Sequence, residues 1–104
     1  MNYGLNSELQ NILTSIFRRY AVIDEVILYG SRAKGNYSDR SDIDFAIKGK
    51  IDRHIISEIL LETEESAIPY KIDIQNYHKI NNYALKEHID RVGKVFYKKE
   101  STTI

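Results

Sequence analysis

The 104-residue chain has no cysteine, no tryptophan, a single proline and a single methionine. Without cysteine it can form neither disulfides nor thiolate metal sites, and it has no cysteine nucleophile. The same absence fits a reducing compartment, so a cytoplasmic protein is expected. Neither sign of charge is in excess, since fifteen Lys plus Arg balance fifteen Asp plus Glu. No global field draws the chain onto nucleic acid or an anionic membrane, and direct nucleic-acid binding is not expected. An anionic ligand must be held by a local arrangement. No apolar run approaches the ~20 residues of a membrane span, and the residues after Met1, Asn2-Tyr3-Gly4, lack the basic and apolar regions of a signal peptide. The length and 42% hydrophobic content fit one small domain over residues 1–104 with room for one active centre. The polar end, residues 98–104, is expected to be a flexible tail.

Ser7-Glu8-Leu9-Gln10 has the form of a capping box. Leu9, Ile12, Leu13, Ile16, Phe17 and Tyr20 then recur at helical spacing, which predicts an amphipathic first helix. Val26 to Tyr29 reads as a short buried strand stopped by Gly30, and residues 31–41 as a turn or short helix followed by a loop. Ile43, Phe45 and Ile47 alternate with Asp42, Asp44 and Ala46, giving a second strand closed by Gly49. Asp52 is placed to cap a helix that buries Ile55, Ile56, Ile59, Leu60 and Thr63 and turns Glu58, Glu62, Glu64 and Glu65 to water. Tyr70 to Ile74 makes a third strand. Ala84, Leu85, His88, Ile89 and Val92 mark a last helix ended by Gly93, with the apolar Val95-Phe96-Tyr97 behind it. The order predicts an α/β (α+β) fold, a small mixed sheet flanked by helices.

Aspartate is disfavoured inside strands, yet Asp44 stands between Ile43 and Phe45, and Asp73 between Ile72 and Ile74. A bound cation would account for both. Residues two apart on a strand share a face with Cα atoms roughly 6.5 to 7 Å apart, so Asp42 and Asp44 can lean onto the same hard ion. Asp73 joins them if its strand lies beside the second in register, and three oxygen donors favour Mg²⁺ or Mn²⁺ over zinc. The competing reading is a turn residue at Asp42 and a wet strand face at Asp44 and Asp73. The balance shifts because Gly30-Ser31 precedes Asp42 with ten residues between them. Gly30 lets backbone approach a ligand, and Ser31 offers a hydroxyl and an amide to a phosphate. Arg32, Lys34 and Arg40 are candidates to balance phosphate charge.

Competing motifs fail. Gly30 and Gly35 have P-loop spacing, but Asn36-Tyr37 follows where Lys-Ser/Thr is required. No G-x-G-x-x-G occurs, Ser31 is not in a G-x-S-x-G elbow, and His54, His78 and His88 lack metal-ligand spacing.

Gly30-Ser31, ten intervening residues and Asp42-Ile43-Asp44 resemble the GS-x10-D-x-D signature of the nucleotidyltransferase superfamily that includes DNA polymerase beta. The small size, G-S-R-A-K-G at Gly30 to Gly35 and the pattern Leu85, Ile89, Gly93, Val95, Tyr97 are similar to the minimal nucleotidyltransferases, or MNT proteins, across roughly Leu9 to Tyr97. The resemblance implies transfer of a nucleotidyl group, AMP from ATP, to an acceptor hydroxyl with release of pyrophosphate. Asp42, Asp44 and Asp73 would be catalytic and hold Mg²⁺, with Mn²⁺ as an alternative. Gly30, Ser31, Arg32 and Lys34 would hold the nucleotide. It also implies a HEPN-type toxin as partner, AMPylated on a tyrosine, with this chain acting as a type VII-like antitoxin in a homo- or hetero-oligomer. Two alternatives stay open: an antitoxin that neutralises its partner by binding alone, and an aminoglycoside-type small-molecule nucleotidyltransferase. Eight tyrosines leave room for a contact surface, for which Tyr3, Tyr37, Tyr77 and Tyr83 are candidates.

Overall fold

A computed structural model describes residues 2–100. The chain runs α1 (Ser7–Arg18), β1 (Ile23–Tyr29), α2 (Gly30–Lys34), β2 (Ile43–Gly49), α3 (Arg53–Glu64), β3 (Ile72–Asn76), a 3-10 turn (Tyr77–Lys79), α4 (Tyr83–Val92) and β4 (Lys94–Lys98). The four strands form one mixed sheet in the order β3-β2-β1-β4. β1 is antiparallel to β2 and β4, whereas β2 and β3 are parallel and joined through α3.

Alternation in β2 explains how the sheet is covered. Ile43, Phe45 and Ile47 are all fully buried on the face that receives α1 and α3, where they meet Leu13, Phe17, Val26, Leu28 and Ile59. Phe17 meets Phe45 edge-on at 5.2 Å between centroids, and Phe96 of β4 lies 5.1 Å from Phe45 on the same side. The opposite face is thinner. There Ile27, Tyr29 and Ala46 pack against Ile89 of α4. Because both faces of β1 are covered, Val26 to Tyr29 are buried without alternation.

Several boundaries differ from expectation. Asn6, not Ser7, caps α1, its side chain accepting from the Leu9 amide at 2.8 Å, so Ser7 is the first helical residue. Asp52 caps α3 as predicted. Glu62 does not simply face water: it binds Arg19 and the Tyr20 hydroxyl, tying α3 to the end of α1. The third strand starts two residues later than predicted, at Ile72. The predicted tail begins too early, since Lys98 pairs with Glu25 in the sheet and the Lys99 amide donates to Asp24 O at 2.9 Å. Residues 101–104 of that predicted tail lie outside the described residues. Among the described residues no helix is long and apolar enough to cross a membrane.

Candidate active site

The register of the parallel pair places Asp44 directly beside Asp73, and the antiparallel pair places Tyr29 beside Asp44 on its other side. Side chains of paired residues share a face, so the three project together from the side that α4 covers only in part. Asp42 stands two residues before Asp44, exposed, where the chain enters β2. The charges of Asp73 and Asp42 both act on Asp44. Partial burial first, then these two neighbours, push the Asp44 carboxyl above the usual range. The ion pairs among the described residues all lie elsewhere, so no protein cation offsets this group.

Gly30 follows Tyr29 with φ +75°, in the left-handed region, and a Cβ there would run into the Asp44 carboxylate. The turn thus leads directly from the β1 end into α2 with its backbone against the acid pair. Ser31 lies in the first turn of α2, and no side chain caps that turn. Gly35, at φ +89°, ends it by donating to the Ser31 carbonyl at 2.9 Å.

Sequence reasoning missed Tyr29. Burial, reinforced by the charges of Asp73 and Asp44, holds its phenol well above the ordinary range. Only the pairing of Tyr29 with Asp44 brings it to the acids, and the uniformly apolar run Val26 to Tyr29 carries no sign of that register. Gln75 approaches the Asp73 carboxylate, Nε2 to Asp73 Oδ2, at 3.4 Å.

Arg32 requires a correction. It was expected at a phosphate, but its side chain is 1% exposed and its guanidinium is engaged inside the protein. Nε and Nη2 donate to the Ser41 carbonyl, and Nη1 donates to the Tyr3 carbonyl. Lys34 and Arg40 are exposed at the end of α2 and in the loop beyond it. Among the candidate contact tyrosines, Tyr37 packs over Arg32, and Tyr77 is bracketed by Lys48 and Lys86 and bonded to Asp90. Tyr3 is half-buried, whereas Tyr83 is 83% exposed.

Among the described residues no three His, Cys, Asp or Glu side chains form a ready-made metal cage. The donor set still fits Mg²⁺ or Mn²⁺. These ions are typically held by one or two carboxylates with phosphate oxygens and water completing the shell, and here Asp44 and Asp73 lie side by side with the Gly30 backbone close against the Asp44 carboxylate.

The sequence pattern of the family described as "Polymerase beta, Nucleotidyltransferase" matches residues 11–102. Two Methanocaldococcus jannaschii proteins are similar in sequence. "Putative protein adenylyltransferase MJ1547" is 34% identical over 83 residues, 68% of this chain and 67% of that protein. "Putative protein adenylyltransferase MJ0604" is 30% identical over 94 residues, 86% of this chain and 92% of that protein. In structure, the fold resembles a chain in the crystal structure of a toxin–antitoxin with AMP-PNP, with TM-score 0.72 and 19% identity, covering 88% of this chain and 74% of that one. It also resembles a chain in the structure of the tri-AMPylated Shewanella oneidensis HEPN toxin in complex with MNT antitoxin, with TM-score 0.65 and 17% identity, covering 86% and 70%. Family pattern, fold and the placement of the signature residues agree: the chain belongs to the polymerase beta nucleotidyltransferase family.

Proposed function

We propose that this nucleotidyltransferase is a Mg²⁺-dependent protein adenylyltransferase that moves AMP from ATP to a tyrosine hydroxyl of a HEPN-type partner, and so acts as an antitoxin in the cytoplasm. The single observation that carries the chemistry is the register of Asp44 with Asp73 beside the Gly30 turn. The acceptor is supported by the names of the two archaeal relatives and by the toxin–antitoxin complexes that share the fold.

The residues divide the work. Asp42 and Asp44 would hold the metal ions with phosphate oxygens, and Asp73 would share the site on its other flank. When bound, the ions neutralise the triphosphate and align the attacking and leaving oxygens. Asp73 would accept the proton of the acceptor hydroxyl as the hydroxyl oxygen forms a bond to the α-phosphorus. The bond from that phosphorus to the bridging oxygen breaks, and pyrophosphate leaves. Gly30 and Ser31 bring backbone and hydroxyl donors to the phosphates, and Lys34 supplies a cation at the exposed end of α2. In this reading the partner surface completes the site around the acceptor hydroxyl.

The test is incubation with α-labelled ATP, Mg²⁺ and the candidate partner, a folded HEPN-type protein. Label on a partner tyrosine is expected, and a wild-type protein that leaves the folded partner unlabelled refutes the proposal.

A further inference from the structure

Asp42 sits between two fixed peptide planes. The carbonyl of Ser41 accepts from Arg32 Nε at 3.1 Å and from Nη2 at 2.9 Å, and the amide of Ile43 donates to the Lys71 carbonyl at 2.9 Å. The first bond set fixes the plane joining Ser41 to Asp42; the second fixes the plane joining Asp42 to Ile43. Because peptide units are planar, holding both leaves the Asp42 backbone dihedrals little freedom and sets the direction of its Cα–Cβ bond. The Ile43 anchor is ordinary sheet pairing. The Ser41 anchor is a buried guanidinium brought from α2.

That guanidinium is costly where it is. Arg32 is 1% exposed and none of the ion pairs among the described residues includes it. It is compensated by two carbonyls and two rings, with Tyr70 at 4.4 Å and Tyr37 at 5.3 Å from its central carbon. Tyr3 adopts φ +59° where its carbonyl meets Nη1 at 3.0 Å, and a Cβ on Gly4 would strike both the Tyr37 ring and Arg32. An apolar side chain would fill this space with less desolvation, but it could not grip Ser41. The forked geometry of arginine, with two donors converging on one carbonyl and a third reaching the other strand of chain, is what lysine cannot reproduce.

We infer that Arg32 is a positioning residue, one that orients the Asp42 carboxylate toward the metal-nucleotide complex by clamping the Ser41 carbonyl. The inference rests on the proposed function, because it assigns Asp42 to metal binding. It also accounts for a cation of the signature turn that is buried against the Ser41 and Tyr3 carbonyls.

The experiment compares wild type, Arg32→Lys, Asp42→Asn, the double variant and Ile59→Val, a core change on the opposite face that serves as a stability control. Each is titrated with the Mn²⁺ complex of a non-hydrolysable ATP analogue, followed by calorimetry and by electron paramagnetic resonance of the bound Mn²⁺. Arg32→Lys is expected to fold and to bind the complex about 10- to 100-fold more weakly, as expected for loss of an outer-shell support. In the Asp42→Asn background it should add little, because both changes act through one carboxylate. Ile59→Val should lower the melting temperature without moving the affinity. Arg32→Lys binding like wild type, or weakening binding equally with and without Asp42, overturns the inference alone. Wild-type protein that binds no complex overturns the proposed function and this inference together.

Discussion

Asp44 and Asp73 are register partners, each the second residue of its strand, and they share one face of a parallel pair with Tyr29 paired to Asp44 from β1. Two carboxylates side by side in a partly buried place are unfavourable for folding alone, a cost that the cation of the proposed function would offset. The packed face holds Phe17, Phe45 and Ile59, while the thinner face holds the acids to which the proposed function assigns the chemistry.

Gly30→Ala tests how tightly turn and acid are fitted. The residue sits at φ +75°, and a Cβ would meet the Asp44 carboxylate. The left-handed backbone alone should cost roughly 1 to 2 kcal/mol, visible as a lower midpoint in denaturant. Displacement of Asp44 should reduce transfer by about 100-fold, as for a misplacement of about 1 Å. Near-wild-type transfer would mean that the turn does not set the acid's position.

The Asp44 carboxyl is raised in the folded chain, so the folded state holds more protons than the unfolded state from the ordinary carboxylate value of 3.8 upward to the raised value. Stability of the metal-free protein should therefore fall as pH rises through that window. Glu62 is lowered by its bonds to Tyr20 and Arg19, and it has the opposite sign: its contribution is present above 4.5 and lost as pH falls below it. Asp44→Asn removes the first dependence and keeps the second. The difference between the two melting curves isolates Asp44, and a variant that melts no differently from wild type across the range contradicts the crowding of these acids.

Tyr29→Phe removes the hydroxyl on the face shared with Asp44 and Asp73 and leaves the ring in its packing against Ile89 and His88. If the phenol helps to keep the acids in their working orientation, kcat for transfer should fall about tenfold with little change in KM for ATP. An unchanged kcat would assign Tyr29 to packing alone.

Much of this site was legible in the sequence because strand alternation carries it. Ile43, Phe45 and Ile47 buried on one face force Asp42 and Asp44 toward the other, and the spacing from Ser31 supplied the turn. Register was not legible: Asp73 reaches Asp44 only because β3 runs parallel to β2 with this pairing, a relation set by the length and packing of α3. Arg32 was misread because a cation next to a phosphate-type turn has the same sequence signature whether it points out or in. Its burial depends on Tyr3 and Tyr70, both distant in the chain, and on the Ser41 carbonyl across the loop that follows α2. Asn6 displaced Ser7 as the cap because adjacent residues can both accept at a helix start, and the polar sequence does not rank them.

The double variant Asp42→Asn, Asp44→Asn separates catalysis from occupancy. Both substitutions keep side-chain size, and at Asp44 the change removes repulsion with Asp73, so the fold should persist and melt no lower than wild type in the absence of metal. Any surface that binds a partner away from the acids is untouched. If adenylylation is the antidote, the variant should leave no label on the folded HEPN protein and should fail to protect cells producing it, while a pull-down still recovers the complex. If protection survives with labelling gone, complex formation alone neutralises the partner, and the acids serve another acceptor. The two outcomes rest on one difference: two carboxylates become amides, which coordinate a divalent cation far more weakly, while the shape presented to a partner is almost unaltered.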